Sequence, residues 1–110
     1  MEDQIAISLL KQGNLNGLET LVNRYQAKAV HAAYLITHDR AMAEDVAQAA
    51  FVKAAERIQQ FDENRAFPPW FFRIVVNDAL KLARRMKRNV SLDDLDEEAS
   101  ALAALLADPA

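Results

Sequence analysis

The chain has 110 residues, 52% of them apolar, with two glycines, three prolines and no cysteine. That is enough length for one domain with one modest core, and so little turn chemistry favours long helices over a sheet. Disulfides and thiolate metal sites are excluded, a reducing cytoplasmic location is expected, and the net charge of −3 argues at first against a nucleic-acid partner.

The N-terminal stretch MEDQIAISLL is acidic and has no basic residue ahead of its apolar ones, so it does not read as a secretory signal. Residues 3–12 place Ile5, Leu9 and Leu10 at helical spacing, and Gly13 can end that short helix. A second helix is expected from Asn14 or Asn16, either of which can cap it, to about Thr37. Leu18, Leu21, Val22, Tyr25, Ala29, Ala32 and Ile36 form its inward face. Its AVHAAYLIT segment is the longest uncharged apolar run, about half the length that spans a bilayer, so no membrane insertion is expected. His38 and Asp39 mark a break, with Asp39 as N-cap of a third helix over residues 40–60. Met42 or Ala43, Val46, Ala50, Ala54 and Ile58 are its expected core positions. FDENRAF reads as a loop. Pro68 and Pro69 suit the first turn of a fourth helix, where the missing N–H groups cost little. That helix runs to about Arg88 and offers Trp70, Ile74, Val75 and Leu82 to the core. SLDDLDEEASALAALLADPA follows as an acidic tail or short helix, with Ser91 and Asp94 in a capping arrangement.

Charge is distributed unevenly along these elements. Residues 1–63 carry six basic and nine acidic side chains; residues 64–88 carry seven basic ones against Asp78 alone; residues 89–110 carry six acids and no base. Local potential, not the whole-chain sum, governs attraction to a polyanion, so the middle segment restores nucleic acid as a candidate partner.

Catalytic patterns are lacking. Neither Ser8 nor Ser91 has a nearby His or Asp pattern, and no nucleophile elbow or glycine-rich phosphate loop is present. His31 and His38 stand seven apart without an acidic companion at ligand spacing, so they read as surface or half-buried histidines, and no metal site or cofactor is expected. The segment from Phe61 to Arg88 is richer. Arg84, Arg85, Lys87 and Arg88 supply cations for phosphates. Phe67, Trp70, Phe71 and Phe72 offer flat faces for unstacked bases, although rings at a helix start more often serve a core. Arg73 and Asn77 lie one turn apart and share a face.

AEDVAQAAFVKAAERIQQFD followed by RAFPPWFFRIVVNDALKLARR resembles region 2 of a bacterial sigma factor, nearest the small extracytoplasmic-function (ECF) group. Ala43, Glu44, Asp45, Val46, Gln48 and Phe51 fit the first half of that pattern. Phe61, Asp62, Arg65, Phe67, Trp70, Arg73, Ile74, Asn77, Arg84 and Arg85 fit the second, and Tyr25 holds the aromatic position of the preceding helix. The sequence departs from the pattern at Ala49 and Ala55, where the family usually has Glu and Trp. It departs again at Pro68, usually basic, and at Lys81, commonly acidic.

The resemblance implies an all-α fold: a compact bundle of three long helices plus a short N-terminal one over residues 1–90. Residues 91–110 would then be an acidic linker or tail leading towards an absent region 4 domain. It also implies a promoter-recognition role by binding rather than enzymatic catalysis. Glu44, Asp45, Gln48, Ala49 and Val52 would meet RNA polymerase core at its beta-prime clamp helices, with Val46 and Phe51 packed inside. Asn64, Arg65, Phe67, Arg73, Asn77, Lys81, Arg84, Arg85 and Arg88 would hold the non-template strand of promoter DNA at the minus-ten element. Asn77 would face an exposed loop from Phe61 to Pro69, with Trp70 in the core beneath it. An anti-sigma factor is a further implied partner. Two rival readings are a sigma-like protein-interaction module without DNA binding, and an ordinary helix-turn-helix duplex binder.

Overall fold

A computed structural model describes residues 2–87 of the chain as four α-helices and one 3-10 turn, with no strand among the described residues. The helices are α1 (Glu2–Lys11), α2 (Asn16–Thr37), α3 (Arg40–Glu56) and α4 (Phe67–Lys87), and the 3-10 turn spans Ile58–Gln60. The expected bundle of three long helices and one short one is present. The acidic tail and Arg88 lie outside the described residues.

Local chemistry sets most boundaries. Gly13 takes φ +84° at the end of α1. Its N–H donates to the Leu10 carbonyl at 2.9 Å while the Asn14 N–H donates to Leu9 at 2.9 Å, the paired closure that a left-handed residue permits. The Asn14 side chain accepts from the Asn16 N–H at 2.9 Å and so opens α2. His38 ends α2 in the left-handed region, its N–H donating to Tyr34, and Asp39 Oδ1 caps α3 by accepting from the Met42 N–H at 3.0 Å.

α3 ends at Glu56, one turn before the expected Gln60. The chain tightens there into the 3-10 turn, in which residues three apart eclipse. Ile58 and Phe61 therefore both point inward and are both buried.

α2 is the central element and packs against α1, α3 and α4, while α3 and α4 also pack on each other. Alanines make this close packing feasible: Ala29, Ala32 and Ala33 of α2 meet the layer of Ala43, Ala47, Ala50 and Ala54 on α3, all buried. At the α1–α2 crossing Gly17 is obligatory, because a Cβ there would stand 2.1 Å from the Ala6 carbonyl oxygen.

The inward face of α4 differs from expectation. Phe71, Phe72, Val75, Val76 and Ala79 are fully enclosed, whereas Trp70, Ile74 and Leu82 pack only partly against the core. Helix α4 is apolar over a wide arc, so spacing alone left two candidate faces. Contact with Tyr25 and Phe51 selects the one bearing Phe71 and Phe72.

Candidate functional site

On α3, Glu44, Asp45, Gln48, Ala49 and Val52 form one exposed stripe, with Val52 57% exposed despite being apolar. The opposite face carries Ala43, Val46, Ala47, Ala50, Phe51 and Ala54, all buried. Glu44 is paired within the helix to Arg40 at 3.8 Å. A groove of about 780 Å³ between α2 and α3 runs beside the stripe, lined by Val30, His31, Tyr34 and Leu35 with Arg40 and Glu44. Tyr34 and Leu35 are exposed large apolar groups that sequence reading passed over. The signal was present in AVHAAYLIT, which carries more apolar residues than one buried helix face can absorb.

On α4, Arg73, Asn77, Lys81, Arg84 and Arg85 repeat at three to four residues and so share one side of the helix. Arg73, Lys81 and Arg85 are exposed, while Asn77 and Arg84 are half-buried. Buried polar atoms without a hydrogen-bond partner occur at Asn77 Oδ1 and Arg84 Nη1. Asn77 lines a cleft between α3 and α4 whose other wall is Lys53 and Arg57, with Trp70 and Arg73 nearby.

Of the FDENRAF segment only the middle is exposed. Residues 62–66 reach solvent, but Phe61 and Phe67 at its two ends are buried. Phe67, expected at the DNA, is 2% exposed and anchors the end of the loop in the core. It packs on Phe71 with ring centroids 5.4 Å apart, on Tyr25 at 5.6 Å and on Phe61 at 5.8 Å. Phe71 and Phe72 are likewise fully enclosed. Trp70, expected in the core, is half-buried and leans on Phe61 at 4.9 Å. The rings form a floor, and the polar loop lies on it.

Two local bonds shape that loop: Asp62 Oδ1 accepts from the Asn64 N–H at 2.9 Å, and the Arg65 N–H donates to the Asp62 carbonyl at 3.0 Å. Asn64 and Arg65 are left facing water. The loop is also braced from α1, where Lys11 Nζ donates to the Phe61 carbonyl at 2.8 Å and pairs with Glu63 at 3.5 Å, while Gln59 donates to the Lys11 carbonyl at 2.7 Å. A recess of about 490 Å³ separates α1 from the loop, lined by Asp3, Gln4 and Ile7 on one side and residues 63–68 on the other. Nearby, the Tyr25 hydroxyl donates to Asp3, which also pairs with Arg24 at 3.4 Å. Burial, and then the bond to the Asp3 carboxylate, push the Tyr25 phenol up to about 12.

The bundle thus presents an exposed stripe on α3 and a basic stripe plus polar loop at α4. The sequence model for sigma-70 region 2 matches residues 21–98. The chain belongs to the sigma-70 region 2 family. Among its curated relatives, the RNA polymerase sigma-H factor of Pseudomonas aeruginosa is 33% identical over 99 residues, which is 89% of this chain and 51% of the relative. The ECF RNA polymerase sigma factor SigW of Bacillus subtilis is 33% identical over 87 residues, 79% of this chain and 46% of the relative. The ECF RNA polymerase sigma-E factor of Escherichia coli K12 is 31% identical over 98 residues, 87% and 50% respectively. The chain spans about half the length of these relatives. No helix among the described residues of this region 2 domain is long and apolar enough to cross a membrane.

Proposed function

We propose that this chain is a promoter-recognition module that docks on RNA polymerase core through α3 and holds the non-template strand of the minus-ten element through the 62–66 loop and α4. The observation that carries this reading is the separation of the two surfaces on one packed scaffold. The α3 stripe of Glu44, Asp45, Gln48, Ala49 and Val52 faces away from the α3 core positions. Asn64, Arg65, Arg73, Asn77, Lys81, Arg84 and Arg85 belong to the loop and α4, so both partners can be held at once.

The function is binding rather than bond chemistry. Strand opening exposes bases, and capturing one outside the stack offsets an unstacking cost of a few kcal/mol. Cations supply sequence-independent affinity, whereas the Asn77 amide, with both donors and an acceptor, can discriminate base edges. Because Phe67, Phe71 and Phe72 are enclosed, stacking by this domain rests on Trp70, the one half-exposed ring of the segment.

The test is a pull-down of polymerase core by the chain, with and without a labelled non-template oligonucleotide. Asp45→Ala with Gln48→Ala should weaken capture of core while leaving the oligonucleotide affinity of the isolated chain unchanged. Asn77→Ala should leave capture intact and flatten the preference among oligonucleotides varied one base at a time. A chain that captures core but never the oligonucleotide would instead be a protein-interaction module.

A further inference from the structure

The 62–66 loop is fastened in two ways. Buried Phe61 and Phe67 fix where the chain leaves and re-enters the core. Between them nothing apolar anchors it, because residues 62–66 are all exposed. The middle is ordered by the Asp62 turn, which is local, and by Lys11, which is not. Lys11 stands in the last turn of α1, and its side chain is only 20% exposed. Its Nζ donates to the Phe61 carbonyl at 2.8 Å and pairs with Glu63 at 3.5 Å. Gln59 steadies the same residue by donating to the Lys11 carbonyl at 2.7 Å. Among the described residues, no other side chain from outside residues 61–66 forms a hydrogen bond or ion pair with that segment.

We propose that Lys11 is a positioning residue for base selection: it sets the orientation of Asn64 and Arg65 and does not itself touch the strand. The proposal rests on the single-strand reading above and deepens it. A base edge is read by hydrogen bonds, which weaken steeply with distance and angle, so their donors and acceptors must be held in place. Attraction to a phosphate falls off slowly and tolerates movement. A loop that loses its brace therefore keeps its charge and loses its selectivity. The Lys11 cation is already occupied, matched by Glu63 and donating to the Phe61 carbonyl, so it has little to offer a phosphate. Ordering the loop before the strand arrives also removes that cost from binding.

The experiment measures affinity of the 110-residue chain for fluorescent single-stranded oligonucleotides varied one base at a time, over a salt series. A wrong base at a read position costs roughly fivefold or more in affinity. Lys11→Met should shrink that ratio to about twofold at the positions read by the loop. Its logarithmic salt slope should stay within about 0.3 of the unaltered chain's, whereas loss of a phosphate contact would lower it by about 0.7. Lys11→Arg keeps the charge and the donors and should restore the preference. Flattening by Lys11→Met should disappear when Asn64→Ala and Arg65→Gln are already present, and persist alongside Asn77→Ala, because Lys11 acts through the loop. Amide exchange reports the brace without DNA. The Asn64 and Arg65 N–H groups, both donating to Asp62, should exchange roughly threefold or more faster in Lys11→Met. Circular dichroism checks that each variant folds. Gln59→Ala trims an exposed side chain and should flatten the preference partway, so it decides the matter should Lys11→Met unfold.

An unchanged base preference in folded Lys11→Met and in Gln59→Ala would overturn the proposal while the single-strand reading stood. A slope lowered by about 0.7 with the preference intact would make Lys11 a phosphate contact and overturn it equally. A uniform loss of affinity cured by adding Glu63→Gln would make Lys11 a shield for that carboxylate, with the same consequence. Absence of oligonucleotide binding by the unaltered chain at low salt would overturn the single-strand reading and the proposal together.

Discussion

Tyr25 joins α1 to α2 by donating its hydroxyl hydrogen to Asp3, and that bond changes how stability depends on pH. The folded-state phenol is pushed up to about 12 from the ordinary 10. A raised value in the folded state means the stabilisation is fully present below about pH 10 and is lost as pH rises through about 12. Tyr25→Phe should therefore be less stable by about 1 kcal/mol at neutral pH, with the difference shrinking as pH climbs past 10. Denaturant titrations of both proteins across that range give the answer, and a constant difference would mean that the bond contributes nothing. At this scale the sequence revealed residue type better than residue partner. Tyr25 was legible on the inward face of its helix, but Asp3 stands 22 positions away and nothing local points to it. The same holds for Lys11 with Phe61, 50 apart, and for Lys53 with Asp78, 25 apart. The rings of α4 were legible as a cluster, yet their roles were not: an enclosed phenylalanine and a base-stacking one have the same side chain, and only packing against Tyr25 and Phe51 distinguishes them.

The boundaries of the elements were the best-read feature, because caps and breakers act within a few residues. Gly13, Asp39 and the Pro68–Pro69 pair each occupy the position their chemistry suits. The exception is the end of α3, where inward docking of both Ile58 and Phe61 tightens a turn that helical spacing alone would have continued. Element packing also gives a substitution whose sign is diagnostic. In an exposed helix interior Gly→Ala is stabilising by about 1 kcal/mol. At Gly17 the added methyl would meet the Ala6 carbonyl oxygen at 2.1 Å and the Leu10 nitrogen at 2.9 Å, both backbone atoms that cannot swing aside. Gly17→Ala should therefore destabilise the protein by roughly 1–3 kcal/mol, as overpacking does. Thermal unfolding would show a lowered midpoint, and a raised one would refute the close crossing of α1 and α2.

Across the whole molecule, charge is sorted by surface. The segment 64–88 has seven cations against Asp78, while residues 1–63 have nine acids against six bases. Acidic and polar side chains at Glu44, Asp45 and Gln48 sit on α3, and Arg73, Lys81, Arg84 and Arg85 sit on α4. If these four cations each meet a phosphate, the logarithm of single-strand affinity should fall with the logarithm of salt at a slope of about −3 or steeper. A slope near zero, measured by fluorescence anisotropy over a salt series, would exclude a phosphate-contacting surface. The aromatic floor has a thermodynamic corollary. Phe67, Phe71 and Phe72 are enclosed before any ligand arrives, so docking a strand on the loop above them removes little apolar surface from water. Loss of apolar hydration is what makes the heat capacity of association strongly negative. The enthalpy of binding an unstructured oligonucleotide should accordingly be almost flat with temperature in a calorimeter, and a steep negative trend would mean that the floor comes apart to admit the base.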